Sequence, residues 1–318
     1  MMTPRSVIWM LSLITSGCSR ETTSTARFFT VAWRSDAELV VASTTEAVAH
    51  DVYESDCSRR TVFVLDLVSG EREVILTGSQ WCRLFGEGQL VGSTPNATDL
   101  FFVTGDDSEN HRLVRWNTAA GDTTTVVDGC VRARITVAIH PSNGNLIVPM
   151  DCSAVHRRER LFIVTPRGAR IPVFAARSGL PEGEPNWHPA EPRIAFVRES
   201  ARASVHSEVV VADLKTHREH TLGFGASPAF SPDGRHLAYI GLEQSMNSQP
   251  VVVTLDQASG GSTRTALPVE GAFPQGPLVW ALDSSGFVVA MQGPEGSTLW
   301  TFMLKTGEFT QLYAARQQ

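Results

Sequence analysis

The sequence lacks any long hydrophobic run. Its one early apolar stretch, Val7 to Ile14, is too short to cross a bilayer as a helix. A mean hydropathy of -0.05 excludes a polytopic membrane protein. Neither sign of charge dominates: 27 basic and 33 acidic side chains give a net charge of -6. That leaves no electrostatic footprint for nucleic acid or for an anionic membrane surface. His-Glu-x-x-His, Cys-x-x-Cys and Gly-x-Ser-x-Gly are all missing, so no helix-borne zinc site, redox pair or nucleophile elbow is spelled out. What is present is an ordinary globular composition, 42% hydrophobic and 19% charged, over 318 residues. Such a length is two or three domains, or one large all-β domain. The five cysteines are an odd number, so an exported chain must find another fate for one of them.

The N-terminus reads as an address. Arg5 precedes the apolar run, which ends in Thr15-Ser16-Gly17-Cys18. Small residues directly before a cysteine resemble the lipobox of bacterial lipoproteins, although Thr15 stands where that family usually has Leu, Val or Ile. The resemblance implies a signal peptide over 1–17, cleaved before Cys18, with acyl chains on Cys18. An ordinary secretory signal with an incidental cysteine is the alternative. Several acyl chains anchor stably where a single one does not. Ser19 in place of Asp implies, by the same resemblance, the outer membrane of a bacterial envelope. Residues 18–27 are polar at their start and read as a tether.

The rest of the chain repeats. Ser227 to Ile240 contains an apolar strand end, the tight turn Ser231-Pro232-Asp233-Gly234, and an alternating strand. Weaker copies are anchored at Trp33, Ser93, Ile139, Trp187 and Trp280, on average about 49 residues apart. A second submotif recurs in phase: a strand, a turn such as Asp66 to Gly70 or Asp256 to Gly260, and another strand. About 49 residues is one four-stranded propeller blade with its loops.

These residues resemble the TolB-type β-propeller repeat, also found in the propellers of prolyl-oligopeptidase-like enzymes. The resemblance implies an all-β, six-bladed β-propeller of four-stranded antiparallel blades over 28–318. It concerns the repeat and not TolB as a whole. The stretch between Cys18 and Phe28 has no room for the α/β domain that precedes TolB's propeller. How the first and last blades join is open. The insertion over 43–58 is either a long strand connection or a short helix capped by Ser43 and Glu46.

With Cys18 lipidated, Cys57, Cys82, Cys130 and Cys152 remain. Export permits disulfides. In the implied blade topology, Cys57–Cys82 and Cys130–Cys152 is the favoured pairing of three, each joining neighbouring loops on one face. Free buried thiols are the alternative.

The histidines do not assemble a site. His140 and His188 occupy the repeat position of Ser231, which points to turns rather than ligands, and His217 with His220 has no acidic partner in register. Asp66, Asp213, Asp233 and Asp256 are explained by turn chemistry. No catalytic set, metal site or cofactor is expected. The candidate binding face is Trp81, Arg83, Arg132 and Arg134, beside the proposed disulfides, because Trp and Arg anchor interfaces. Solvated loop residues are the alternative. The function expected is a monomeric, non-catalytic envelope lipoprotein that binds a protein or cell-wall-associated partner, meeting the membrane only through its lipid. The competing expectations are a propeller hydrolase or lyase and a small-ligand sensor at the channel mouth.

Overall fold

The structure, a computed structural model, describes residues 24–47, 57–94, 96–105, 111–132, 135–152, 159–174, 180–200, 207–242, 250–269, 272–293 and 296–314. The signal over 1–17, Cys18 and Arg134 lie outside the described residues.

Strands β1 (Ser24–Ser35), β2 (Glu38–Ala47), β3 (Arg60–Asp66) and β4 (Arg72–Leu76) form one antiparallel sheet in chain order. The last residues of the expected tether, from Ser24 onward, are therefore strand. A helix, α1 (Gly78–Phe85), leads to β5 (Gln89–Ser93), β6 (Asp99–Thr104), β7 (His111–Asn117) and β8 (Thr123–Val131). Next come β9 (Ala138–Ile139), β10 (Leu146–Met150), β11 (Arg160–Val164) and β12 (Arg170–Pro172). A Met150–Val131 bridge joins these two groups into one eight-stranded sheet.

The third sheet has seven strands. They are β13 (Glu182–Trp187), β14 (Arg193–Glu199), β15 (Ser207–Asp213), β16 (Glu219–Phe230), β17 (His236–Gly241), β18 (Val251–Asp256) and β19 (Ser262–Ala266). Here β16 pairs with β15 through its first half and with β17 through its second, so one strand serves two neighbours. The fourth sheet is β20 (Phe273–Trp280), β21 (Gly286–Gly293), β22 (Gly296–Met303) and β23 (Glu308–Ala314). The molecule is thus nearly all antiparallel strand. Its hydrogen-bonded sheets have 4, 8, 7 and 4 strands: the Met150–Val131 bridge joins two strand groups in the second, and β16 is shared by two groups in the third.

The core lies between successive strand groups. Runs such as Leu39-Val40-Val41-Ala42 and Leu100-Phe101-Phe102-Val103 are buried on both faces, because each group is sandwiched by its neighbours. Val62 and Trp81 pack on Phe102 and Trp116, Phe101 and Leu113 on Val148 and Met150, and Ile147 and Leu161 on Phe196 and Trp187. Val197 and Val209 meet Tyr239 and Val253, and Ile240 and Val252 meet Trp280 and Phe287. Finally Trp33, Leu39 and Phe63 pack on Val288, Ala290 and Leu299, which joins the first sheet to the last. The Trp33 indole donates to the Val279 carbonyl at 3.3 Å across this junction. Among the described residues β1 pairs with β2 and β23 with β22, so the join is made by side-chain packing and not by a shared strand.

Turn chemistry follows the repeat. The Asp66 carboxylate accepts the N–H groups of Val68 and Ser69 at 2.8 Å each, and Asn117, Asp213 and Asp256 do the same in their own turns. These backbone donors hold the carboxyls of Asp66, Asp213 and Asp256 below the usual range. Ser43 and Glu46 lie in β2, and the Ser43 and Thr61 hydroxyls hydrogen-bond at 3.0 Å. The helical option for that stretch therefore fails at its proposed cap. The capping box is at Thr77 and Gln80 instead, and it opens α1.

Candidate functional site

α1 sits where β4 passes to β5, a connection on the same end of the sheets as the link from β2 to β3. Thr77 caps it: its N–H donates to Gln80 Oε1 at 2.9 Å and its hydroxyl accepts the Gln80 N–H at 3.4 Å. Three ties hold the helix down. The Cys57–Cys82 disulfide fastens it to the short turn Cys57–Arg59, with Cα atoms 5.3 Å apart. Arg60, itself buried, donates to the carbonyls of Glu87 and Gly88 just beyond the helix. Trp81 fills the core beneath.

Trp81 corrects the expected binding face. It is 0% exposed, donates to the Gly88 carbonyl at 3.1 Å, and meets Phe102 edge-on at 5.2 Å. The Arg60 guanidinium lies over its ring at 5.7 Å. The helical repeat turns Trp81 and Phe85 inward and leaves Arg83 exposed to solvent.

Arg132 belongs to a second cluster, where β8 passes to β9. The Cys130–Cys152 disulfide ties that connection to the end of β10, with Cα atoms 4.7 Å apart. Both expected pairings are therefore present. Arg132 pairs with Asp151 and with Glu159, the latter at 3.7 Å. Burial pushes the Glu159 carboxyl up, against the pull of Arg132. A third cluster sets Arg198 between Glu182 at 3.0 Å and Glu219 at 2.8 Å, and burial raises the Glu182 carboxyl. The structure thus places Arg83 and Arg132 in separate clusters, each beside its own disulfide.

Strands β13, β16 and β20 share a feature at equivalent places. Ladder register slips in β13, β16 and β20, each time before a proline: Glu184-Pro185, Ser227-Pro228 and Gly276-Pro277. The residue before each proline has positive φ, at 47°, 53° and 75°. Only the glycine takes this conformation without strain. The three bulges are hydrogen-bonded in series. The Ser227 N–H donates to the Glu184 carboxylate at 2.5 Å, and the Ser227 hydroxyl donates to the Gly276 carbonyl at 3.2 Å. Burial pushes the Glu184 carboxyl up against these donors. Three X-Pro dipeptides in phase were the signal for this row.

The histidines do turn work. His188 Nδ1 accepts the N–H groups of Ala190 and Glu191, and His140 Nδ1 accepts that of Ser142. Among the described residues no three His, Cys, Asp or Glu side chains come together as metal ligands. No helix among them is long and apolar enough to cross a membrane.

No family model matches the chain. Dipeptidyl-peptidase 5 of Porphyromonas gingivalis is 26% identical over 139 residues, covering 40% of this chain and 20% of that protein. The matched stretch is thus a fifth of that relative's length. Among solved structures, TolB from Acinetobacter baumannii aligns with a TM-score of 0.64 at 10% identity, over 93% of this chain and 81% of that one. A putative TolB from Agrobacterium tumefaciens aligns with a TM-score of 0.60 at 13% identity, over 80% of this chain and 88% of that one. At these identities the likeness speaks for fold alone: the chain shares the β-propeller fold of the TolB structures.

Proposed function

We propose that the chain is a non-catalytic, six-bladed propeller that binds a protein partner at the surface of a bacterial envelope, held there by a lipid on Cys18. Six blades of four strands account for the side-chain cores between successive strand groups and for the closing contact of Trp33 with Val279. The observation that carries partner binding is α1. A connection between blades needs a few residues, yet here an eight-residue helix is fixed by a disulfide, a buried arginine and a buried tryptophan. Ordering an exposed segment costs conformational entropy, and pre-ordering it removes that cost from binding. The face so held presents Arg83, with Arg132 beside the second disulfide. Small residues directly before Cys18 support the lipid.

The test is capture from detergent-solubilised membranes by the full-length, lipidated protein. A protein retained by the wild type and lost from Arg83→Glu supports the reading; identical retention by both refutes this face. Cys18→Ala should move the protein to the soluble fraction, and unchanged membrane association refutes the anchor. A second reading, a propeller belonging to a peptidase, is favoured by the match to dipeptidyl-peptidase 5. Release of dipeptides from a chromogenic substrate by the purified chain would establish it.

A further inference from the structure

The two disulfides are not held alike. Cys57 and Cys82 are both half-buried; Cys57 packs on the core around Trp81, and Cys82 sits in regular helix. In the other pair Cys152 is exposed, while Cys130 packs on the core around Val131 and Val148. Cys130 also holds an unfavourable backbone conformation. It follows Gly129 in a bulge of β8: His111 pairs with Val131 and Arg112 with Asp128, so the two residues between have no place in the ladder. Gly129 and Cys130 have φ of 76° and 61°. Glycine enters this region freely, whereas cysteine stays in it only while its surroundings enforce it. The disulfide is one such restraint, tying the bulge to the end of β10. Beside it, the Asp151 N–H donates to the Cys130 carbonyl at 2.9 Å. Met150 and Val131 form the single ladder pair between β8 and β10 among the described residues. Arg132, two residues past Cys130, pairs with Asp151.

We infer that the Cys130–Cys152 disulfide is a redox-sensitive clasp between β8 and β10, opened by a dithiol that leaves the Cys57–Cys82 bridge intact. Strained or exposed disulfides are the ones that reductants open first, and this pair combines a strained backbone with an exposed partner. The chemistry is thiol–disulfide exchange. A thiolate of the dithiol attacks Cys152 Sγ, on the exposed residue. The bond between the two Sγ atoms breaks, and Cys130 leaves as a thiolate that takes up a proton. The second thiol of the reductant then attacks the mixed disulfide, which frees the Cys152 thiol and closes the reductant into its own disulfide. The protein gains two electrons and two protons, and the dithiol loses them. Cys130 can then leave the left-handed region, and the β8 end parts from β10. Arg132 moves with that end, while α1 and Arg83 stay fastened by the other bridge.

The test is graded reduction of the folded, full-length protein with dithiothreitol at neutral pH, quenched with iodoacetamide and read by peptide mass spectrometry. Cys130 and Cys152 are expected to become alkylated at a reductant concentration at least about tenfold below that needed for Cys57 and Cys82. At the lower concentration, amide hydrogen exchange should rise over 128–132 and 150–152 and stay unchanged over 78–85. A double variant, Cys130→Ser with Cys152→Ser, should show the same exchange pattern without reductant. The order of alkylation in the wild type decides the matter even if that variant fails to fold. Reduction of Cys57–Cys82 first, or of both bridges together, would overturn the inference, and so would unchanged exchange over 128–132 after selective reduction. The inference does not depend on the partner face, because no partner enters the measurement.

Discussion

His188 and Gly234 join two neighbouring turns: the imidazole Nε2 lies 3.2 Å from the Gly234 carbonyl oxygen. A carbonyl only accepts, so Nε2 carries the proton. Nδ1 is then left to accept from Ala190 at 3.2 Å and Glu191 at 2.9 Å. Both ring nitrogens are used and His188 is 4% exposed. A Cβ on Gly234 would sit 2.6 Å from the His188 ring, so glycine is required by space as well as by its φ of 72°.

This arrangement makes stability pH-dependent in a defined direction. Burial, then the nearby Arg193 charge, lowers the His188 pKa below its ordinary 6.5. In the unfolded chain the ring takes a proton as pH falls through about 6.5, while in the folded chain it does not. The contribution is therefore complete above that value and is lost as pH falls toward the folded pKa. Urea midpoints at pH 7.5 and 5.5 should drop for the wild type by more than for His188→Asn. Equal drops would show that His188 is not the group responsible.

His217 occupies a position that glycine holds in sister turns. Its φ is 56°, like Gly70 at 74°, Gly121 at 71° and Gly260 at 69°. An L-residue in the left-handed region costs about 1–2 kcal/mol. His217→Gly recovers this less the entropy glycine loses on folding, a net gain of about 0.5–1 kcal/mol. Thermal unfolding should shift upward by a few degrees. A lower melting temperature would mean that the imidazole contributes more than its backbone strain costs.

The repeat was legible because Pro, Gly and Asp suit turn geometry, and the same turn returns after Asp66, Asn117, Asp213 and Asp256. The cysteine pairing was legible because antiparallel topology brings only certain loop ends together. α1 was missed although Thr77 and Gln80 spell its cap, because one short helix breaks the strand period and Trp81 was read as a loop residue. The ring closure was not legible, since it rests on packing between Trp33 and Val279, which are 246 residues apart. The Glu184 row was hidden by the disruption of the strand alternation at each bulge.

Gly78 tests how α1 is seated. A Cβ there would lie 1.8 Å from the Ser58 carbonyl oxygen, far inside contact distance and against backbone that the Cys57–Cys82 bridge keeps in place. Gly86, at the other end of the helix, has open space around the same position. Gly78→Ala should cost about 1–3 kcal/mol as overpacking. Amide hydrogen exchange should rise specifically over 57–60 and 78–88. Unchanged stability and exchange would show that the turn and helix can separate at no cost.

Trp81 and Arg83 separate the core from the surface within one helical turn. Trp81→Ala removes a fully buried indole packed on Phe85 and Phe102, and leaves the Gly88 carbonyl with Arg60 as its remaining donor. The expected loss is about 3–5 kcal/mol. Arg83→Ala exchanges an exposed side chain and should change stability by less than about 0.5 kcal/mol. Partner capture should show the reverse order at a temperature where both variants are folded: Arg83→Ala weakened, Trp81→Ala weakened only as far as α1 loosens. Reducing the Cys57–Cys82 bridge should then add to the effect of Trp81→Ala on capture, because both act by holding the helix down. If Trp81→Ala abolished capture while melting like the wild type, the indole would be a contact residue and its buried position would have to open on binding.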